Sequence, residues 1–232
     1  MAGSALSSPL VLVTAGPTWV PLDAVRYLTN FSSGDTGLRI ARQLAQAGAG
    51  VTLLLGPGRV CPRPGDRRRL RIVDYITYDD LQRLLREELT ARRYDAIVHS
   101  AAVADYGPAA VVESKIPSGQ EELVIRLRRL PKLWAEIRER APDALLVMFK
   151  LEVGRARPEL LAIAEEARRR AGADLIVAND RATFTSGHHP AAILAAEGVV
   201  AEVQTRDQLA RRLAREITRR LAARLRRDEA TR

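Results

Sequence analysis

Strands and helices alternate along this chain, an order that predicts an α/β fold: a Rossmann-like parallel sheet with helices on both faces. Three observations carry the expectation. Short runs centred on Leu10 to Val13, Gly50 to Leu55, Asp95 to Ser100, Ala144 to Phe149 and Asp174 to Asp180 are nearly continuous in apolar residues, as in strands covered on both faces. Segments of helical periodicity lie between them. Strict alternation is confined to Leu123 to Leu127 and to Ala191 through Val203, so a small antiparallel appendage that includes a flap is placed at about residues 106–127 and 184–204.

The first unit is the densest in chemistry. Leu10 to Val13 is a buried strand, Thr14-Ala15-Gly16-Pro17-Thr18 stops it, and Ser32-Ser33-Gly34-Asp35-Thr36-Gly37 opens a helix to about Ala47. Free N–H groups at such an entry attract phosphate, and small residues let the backbone approach it. The G-x-x-G spacing is also that of a simple turn. The loop between strand and helix is what points to a site. It holds Asp23, Arg26, Tyr27 and Asn30, and connections in α/β units usually take about 2–6 residues.

Gly50 to Leu55 is a second buried strand ended by Gly56-Pro57-Gly58, followed by a loop rich in Pro and Arg and a third strand at Leu70 to Ile76. Thr77, with Asp80 three residues on, caps the helix that carries Leu81, Leu84, Leu85 and Leu89. The next buried strand, Asp95 to Ser100, runs into the small residues Ala101 to Ala104. Asp105 therefore falls at a strand's carboxyl end, where open α/β sheets bind ligands; a turn or cap acid is the alternative. Ala109 to Gln120 has turn-formers and one lysine and reads as a mobile flap. Leu123 to Leu127 is expected as a strand, Pro131 to about Arg140 as a helix, Pro158 to Arg170 as another, and Ala191 to Ala195 with Val199 to Val203 as a hairpin turning at Glu197-Gly198. In the last helix Leu209, Leu213, Ile217, Leu221 and Leu225 recur every four residues, an apolar stripe with arginines elsewhere.

At 232 residues, 47% hydrophobic and 28% charged, the chain can bury a core as one domain over residues 10–232, behind a polar, disordered start at 1–9. No run approaches the ~20 apolar residues of a membrane span, so no membrane partner is expected. The single cysteine, Cys61, and the three histidines form no metal-ligand cluster, and a cytoplasmic protein is the simplest inference. The net charge of +9 is spread over Arg67 to Arg69, Arg168 to Arg170 and the last helix, without aromatic interleaving. That describes solvated faces and no nucleic-acid partner. Only Lys115, Lys132 and Lys150 are lysines, and a compact ammonium is not interchangeable with a guanidinium in phosphate chemistry.

An NAD(P)-binding oxidoreductase is the rival on this fold. Against it, the full G-x-G-x-x-G is missing, the second strand ends without an acid for a ribose hydroxyl, and no tyrosine has a lysine four residues on.

Four motifs in order, Thr14-Ala15-Gly16-Pro17-Thr18, Val25-Arg26-Tyr27-Leu28-Thr29-Asn30-Phe31-Ser32-Ser33-Gly34, Ala101-Ala102-Val103-Ala104-Asp105-Tyr106-Gly107-Pro108 and Val177-Ala178-Asn179-Asp180, carry a resemblance to the phosphopantothenate-cysteine ligases of coenzyme A biosynthesis. The resemblance spans about residues 10–220. Lys115-Ile116-Pro117-Ser118, Pro131-Lys132 and Phe149-Lys150-Leu151-Glu152 look more like the stand-alone ligases than like the half fused to a flavin-dependent decarboxylase, and a stand-alone enzyme is expected.

The resemblance implies a two-step acyl transfer. The carboxylate of 4'-phosphopantothenate attacks a nucleoside triphosphate, CTP favoured over ATP, and L-cysteine's amine then displaces the nucleotide. By the same likeness Gly16, Ser32, Gly34 and Gly37 would hold phosphates and ribose, Lys115 the triphosphate, and Ser100, Pro131, Lys132, Phe149 and Asn179 further parts of the nucleotide. Ala101, Ala102 and Asp105 would line the floor shared by both substrates. Asn30 would donate to the reacting carbonyl, and Arg26 would reach phosphopantothenate from the neighbouring chain of a homodimer. Mg2+ would bridge the triphosphate. Where many fused bacterial relatives carry a K-x-K-K flap and two lysines before the Asn-Asp strand end, this chain has Lys115-Ile116-Pro117-Ser118 and arginines between Ala167 and Ala171.

Overall fold

Successive residues of the first strand, β1 (Leu10–Ala15), are buried on opposite faces of one sheet: Val11 and Val13 enter one core, Leu12 the other. A strand that is apolar from Leu10 to Val13 needs cover on both sides, and the rest of the chain supplies it. The computed structural model describes residues 8–230. Of the start expected at 1–9, residues 1–7 lie outside that range, while the Pro9 carbonyl already accepts from the Gly50 N–H at 2.9 Å.

After β1 come a short hairpin, β2 (Trp19–Pro21) with β3 (Tyr27–Thr29), then α1 (Asp35–Gln46), β4 (Gly50–Leu55), α2 (Pro64–Arg69), β5 (Leu70–Asp74) and α3 (Tyr78–Ala91). β6 (Ala96–His99), β7 (Tyr106–Pro108), β8 (Leu127–Arg129), α4 (Leu133–Arg140), β9 (Leu145–Glu152) and α5 (Arg157–Ala171) follow. The chain closes with β10 (Leu175–Asp180), β11 (Ala191–Ala195), β12 (Gly198–Val203) and α6 (Arg206–Ala230). The central sheet has eight strands in the order β12-β11-β10-β9-β6-β1-β4-β5. From β10 to β5 all neighbours are parallel. α1 and α6 pack on one face; α3 and α4, with α5 beyond them, cover the other.

The strand order turns back at β1, which pairs with β4 on one side and β6 on the other. Chain leaving β1 and chain leaving β6 therefore separate in opposite directions and open a crevice at their carboxyl ends.

Four sequence expectations change. The Ala191 to Val203 hairpin does not stand apart in an appendage: β11 pairs antiparallel with β10 and extends the central sheet, with β12 as its edge. Leu123 to Leu127 is not a strand. Only Leu127–Arg129 pairs, with Tyr106–Pro108, and Leu123 and Val124 are exposed, because alternation without a partner strand leaves the backbone to water. The Pro- and Arg-rich loop contains α2, whose Asp66 accepts the Arg63 N–H at 2.7 Å and a two-pronged bond from Arg42 at 2.7 and 2.8 Å. It escaped the sequence reading because six residues show no apolar period. The stripe of α6 fails at its end, where Leu225 is exposed although Leu209, Leu213 and Ile217 are fully buried. Each four-residue step overshoots a full turn by about 40°, so a strict four-residue repeat walks off the contact face.

One expectation holds to the residue. Thr77 and Asp80 form a capping box, each side chain accepting from the other's backbone N–H. Among the described residues no helix is long and apolar enough to cross a membrane.

Candidate active site

The crevice beside β1 is a cleft of about 870 Å³. Its floor is built by three chain segments: the Gly16-Pro17 turn after β1, Asn30 to Gly37 leading into α1, and Ser100 to Ala102 after β6. Thr14 ties the first of these to the third. Its hydroxyl contacts His99 Nδ1 at 2.9 Å and accepts the Ala101 N–H at 3.2 Å, while its carbonyl accepts the Ser100 hydroxyl at 2.6 Å. Pro17 and Ala102 form a bridge across the turn. Burial holds the His99 imidazole neutral, its pKa pushed down to about 4, so beneath the floor it orders Thr14 without adding charge.

α1 begins at Gly34, whose φ of +81° is the left-handed conformation that glycine adopts at little cost; Gly34 has no side chain to cap the helix, and Ser33 Oγ accepts the Asp35 N–H at 3.3 Å. The rest of its first turn, at Thr36 and Gly37, presents backbone N–H groups and the positive end of the helix dipole to the cleft. Gly37 lets the helix sit directly on the strand ends, since a Cβ there would run into Ala15 Cβ and lie 2.6 Å from Ser100 Oγ. A helix entry pressed this close to the sheet is a ready-made place for phosphate.

Ten of the fifteen residues singled out from sequence line this cleft: Gly16, Asn30, Ser32, Gly34, Gly37, Ser100, Ala101, Ala102, Phe149 and Asn179. They come from four strand ends and one helix entry, and the sheet order alone brings them together. Asp105, Lys132, Pro131, Arg26 and Lys115 are not on its wall. Asp105 and Lys132 form an ion pair, and the Asp105 carbonyl accepts the Leu130 N–H at 2.9 Å. The Pro131 carbonyl accepts from Tyr78 Oη at 2.7 Å, so this corner is fastened to α3. Arg26 and the Lys115 segment meet at another carboxylate, that of Asp23.

The role expected of Asn30 changes. Its amide nitrogen donates to the carbonyls of Val103 at 3.0 Å and Ala102 at 3.3 Å, two groups that can only accept. The nitrogen that was to meet a reacting carbonyl is already engaged, and the atom left for a ligand is the acceptor Oδ1.

Several cleft residues escaped the sequence reading: Arg59, Arg181, Arg206, Phe184 and His189. In a chain so rich in arginine no single one stands out. Arg181 lies 5.5 Å from the centre of the Phe31 ring, and Arg206 sits 4.0 Å from Asp35, whose closer partner is Arg39 at 2.8 Å. Asn179 donates to the Pro190 carbonyl at 3.1 Å and lies 3.4 Å from His189 Nε2; the His189 ring packs against Phe184. Burial first, then Arg206, pushes the His189 pKa down to about 4. Among the described residues no three of His, Cys, Asp and Glu gather as metal ligands.

The sequence matches the DNA/pantothenate metabolism flavoprotein C-terminal domain over residues 6–221. It is 37% identical over 181 residues to the coenzyme A biosynthesis bifunctional protein CoaBC of Thermococcus kodakarensis, which covers 78% of this chain and 43% of that protein. The chain thus spans less than half the length of the curated relatives it matches first. The crystal structure of the DNA/pantothenate metabolism flavoprotein from Streptococcus pneumoniae superposes with a TM-score of 0.80 at 28% identity, covering 91% of this chain and 99% of that one. The C-terminal domain of a coenzyme A biosynthesis bifunctional protein CoaBC does so with a TM-score of 0.71 at 26% identity, covering 96% and 98%. A match across nearly the whole chain places this protein in the family of the DNA/pantothenate metabolism flavoprotein C-terminal domain.

Proposed function

We propose that this domain joins 4'-phosphopantothenate to L-cysteine through an acyl-nucleotide intermediate, a step of coenzyme A biosynthesis. The observation that carries the reading is the glycine-led α1 entry at Gly34, which shares one cleft with Asn30, Ala101, Ala102, Phe149 and Asn179. In the first step the substrate carboxylate attacks the α-phosphorus of the nucleoside triphosphate, the P–O bond to the β-phosphate breaks, and pyrophosphate leaves. In the second, the cysteine amine attacks the acyl carbon, a C–N bond forms, and the nucleoside monophosphate departs with the bonding electrons.

The α1 entry, with Ser32 and Gly37, takes the phosphates, and Phe149 with Asn179 takes the nucleoside end. The cationic wall of Arg59, Arg181 and Arg206 adds charge for a triphosphate. Asn30 Oδ1 accepts from the attacking amine and aims its lone pair at the acyl carbon, where a positioned acceptor matters most. Lys115 meets the departing pyrophosphate when the flap covers the cleft. The Asp35 carboxylate on the cleft wall is paired with Arg39, and among the described residues no metal-ligand cluster forms, so Mg2+ is expected to arrive bound to the triphosphate. The family match and the CoaBC relative favour this reading over an NAD(P)-dependent oxidoreductase.

Pyrophosphate release is the test. The protein with phosphopantothenate, magnesium and CTP should release about one equivalent per site in a burst and turn over only when cysteine is added. ATP should serve less well than CTP. No release with any nucleotide would overturn the reading. In the working enzyme Lys115→Gln should slow the burst, and Asn30→Ala should slow cysteine-dependent discharge about 10²-fold or more while sparing the burst.

A further inference from the structure

The Asp23 side chain is fully buried, though it stands in a loop beside the cleft. A buried carboxylate is costly unless its oxygens are satisfied, and here both are, in a divided way. Oδ1 accepts the N–H groups of Val25 at 2.8 Å and Arg26 at 2.7 Å, closing a local turn that shapes the arm carrying Arg26. Oδ2 looks outward from that turn. It accepts the Arg26 guanidinium at 3.2 Å and the backbone N–H of Ile116, ninety-three positions away in the flap, at 3.1 Å. Arg26 completes the loop by donating its other terminal nitrogen to the Ile116 carbonyl at 3.4 Å. The Val25, Ile116 and Arg26 N–H groups, in that order, hold the carboxyl below its ordinary range, so it stays charged across neutral pH.

Ile116 follows Lys115 directly, and the flap around it has little else to fasten it. Residues 109–126 form no strand or helix; their two ends are joined by the Ala109 N–H to the Arg126 carbonyl at 2.8 Å, but between them Val111 and Val124 are exposed and the link from Val112 N–H to the Leu22 carbonyl is 3.5 Å long. We propose that Asp23 is a positioning residue, a clasp whose Oδ2 holds the Arg26 arm and the Lys115 flap together as one unit. This rests on the ligase reading for its consequence: the cations assigned to the two anionic substrates share one buried anchor, so arm and flap are set in place together. The clasp itself is a statement about this chain's geometry and can be tested without turnover.

Asp23→Asn is the discriminating change. The variant keeps Oδ1, and with it the arm's turn, but presents an NH2 to the Ile116 N–H and the Arg26 guanidinium, donors facing donors. Ile116→Pro cuts only the flap's N–H and leaves the arm's own bonds intact. Amide hydrogen exchange in peptides covering residues 109–120 of the full chain should quicken about tenfold or more in both variants, while exchange in β1 and β6 stays as in the wild type. Unchanged flap exchange in either folded variant overturns the clasp. With substrates, Asp23→Asn should raise the KM for phosphopantothenate and slow the pyrophosphate burst, whereas Ile116→Pro should slow the burst with that KM little changed. If the flap loosens but both kinetic parameters stay at wild-type values, the coupling to the reaction is wrong. Absence of pyrophosphate release from the wild type is a different result: it removes the ligase reading and leaves the exchange experiment to decide the clasp.

Discussion

His99 shows how a single residue serves the cleft from below it. It is buried among the strands, its Nδ1 contacts Thr14, and its pKa falls to about 4 because nothing nearby offsets the loss of water around a charged ring. His189 is lowered to about 4 as well. A histidine whose folded pKa lies below its unfolded value of about 6.5 takes up its proton more readily when unfolded. Stability is therefore fully present above about pH 6.5 and is lost as pH falls from there toward 4, by at most about 1.4 kcal/mol per pH unit for each histidine. Chemical denaturation at a series of pH values should show that slope, and His99→Asn should remove one histidine's share of it. An unchanged slope in the variant would contradict the burial account. At the same scale, Asn30 teaches that residue type and motif do not settle orientation: its nitrogen is turned to the carbonyls of Ala102 and Val103.

Among the elements, α1 and α6 separate what packing demands from what a pattern suggests. α1 carries the Gly34 entry at the cleft and rests on the sheet through Gly37. Gly37→Ala should cost about 1–3 kcal/mol by overpacking, and it should weaken nucleotide binding too, because the helix must lift away from Ala15 and Ser100. A thermal melt and a nucleotide titration check both; a stable variant with wild-type affinity would show that the contact yields cheaply. α6 repeats leucine or isoleucine every four residues, yet only part of the repeat is core. Leu213→Ala should cost about 2–5 kcal/mol through the cavity it leaves, whereas Leu225→Ala should stay within about 0.5 kcal/mol. Equal losses would mean that the end of α6 is covered in solution.

For the whole molecule, that cover bears on assembly. Phe31 is 92% exposed at the cleft mouth, Val25 and Tyr27 project from the arm, and β12 ends the sheet with a free edge. Exposed apolar groups beside a site, together with an unpaired strand edge, are features that a second chain can cover. We expect a homodimer in which Arg26 reaches the neighbouring cleft, consistent with its absence from the wall of its own. Sedimentation should give twice the 25.6 kDa of one chain. Arg26→Ala should then weaken phosphopantothenate binding more than nucleotide binding, since it removes a charge-assisted phosphate contact. A fully active monomer would rule this assembly out.

The strands of the parallel sheet, the Thr77 box and the α1 entry were legible in the sequence because their causes are local. Apolar runs, a hydroxyl and a carboxylate three residues apart, and glycines before an amphipathic helix act within one or two turns of chain. Even the ten cleft residues could be named, through motifs that lie at strand ends. Tertiary structure decided the rest. The Ala191 to Val203 hairpin joined the central sheet because β10 offered it an edge, and of Leu123 to Leu127 only Leu127 found a strand to pair with. Arg59, Arg181 and Arg206 became a cationic wall only when α6 and the loops after β4 and β10 met at the crevice. Asp23 took its place between Arg26 and Ile116 for the same reason. Such contacts join residues far apart in the chain, and it is the order of strands in the sheet that sets which distant groups meet, a property no single stretch of sequence carries.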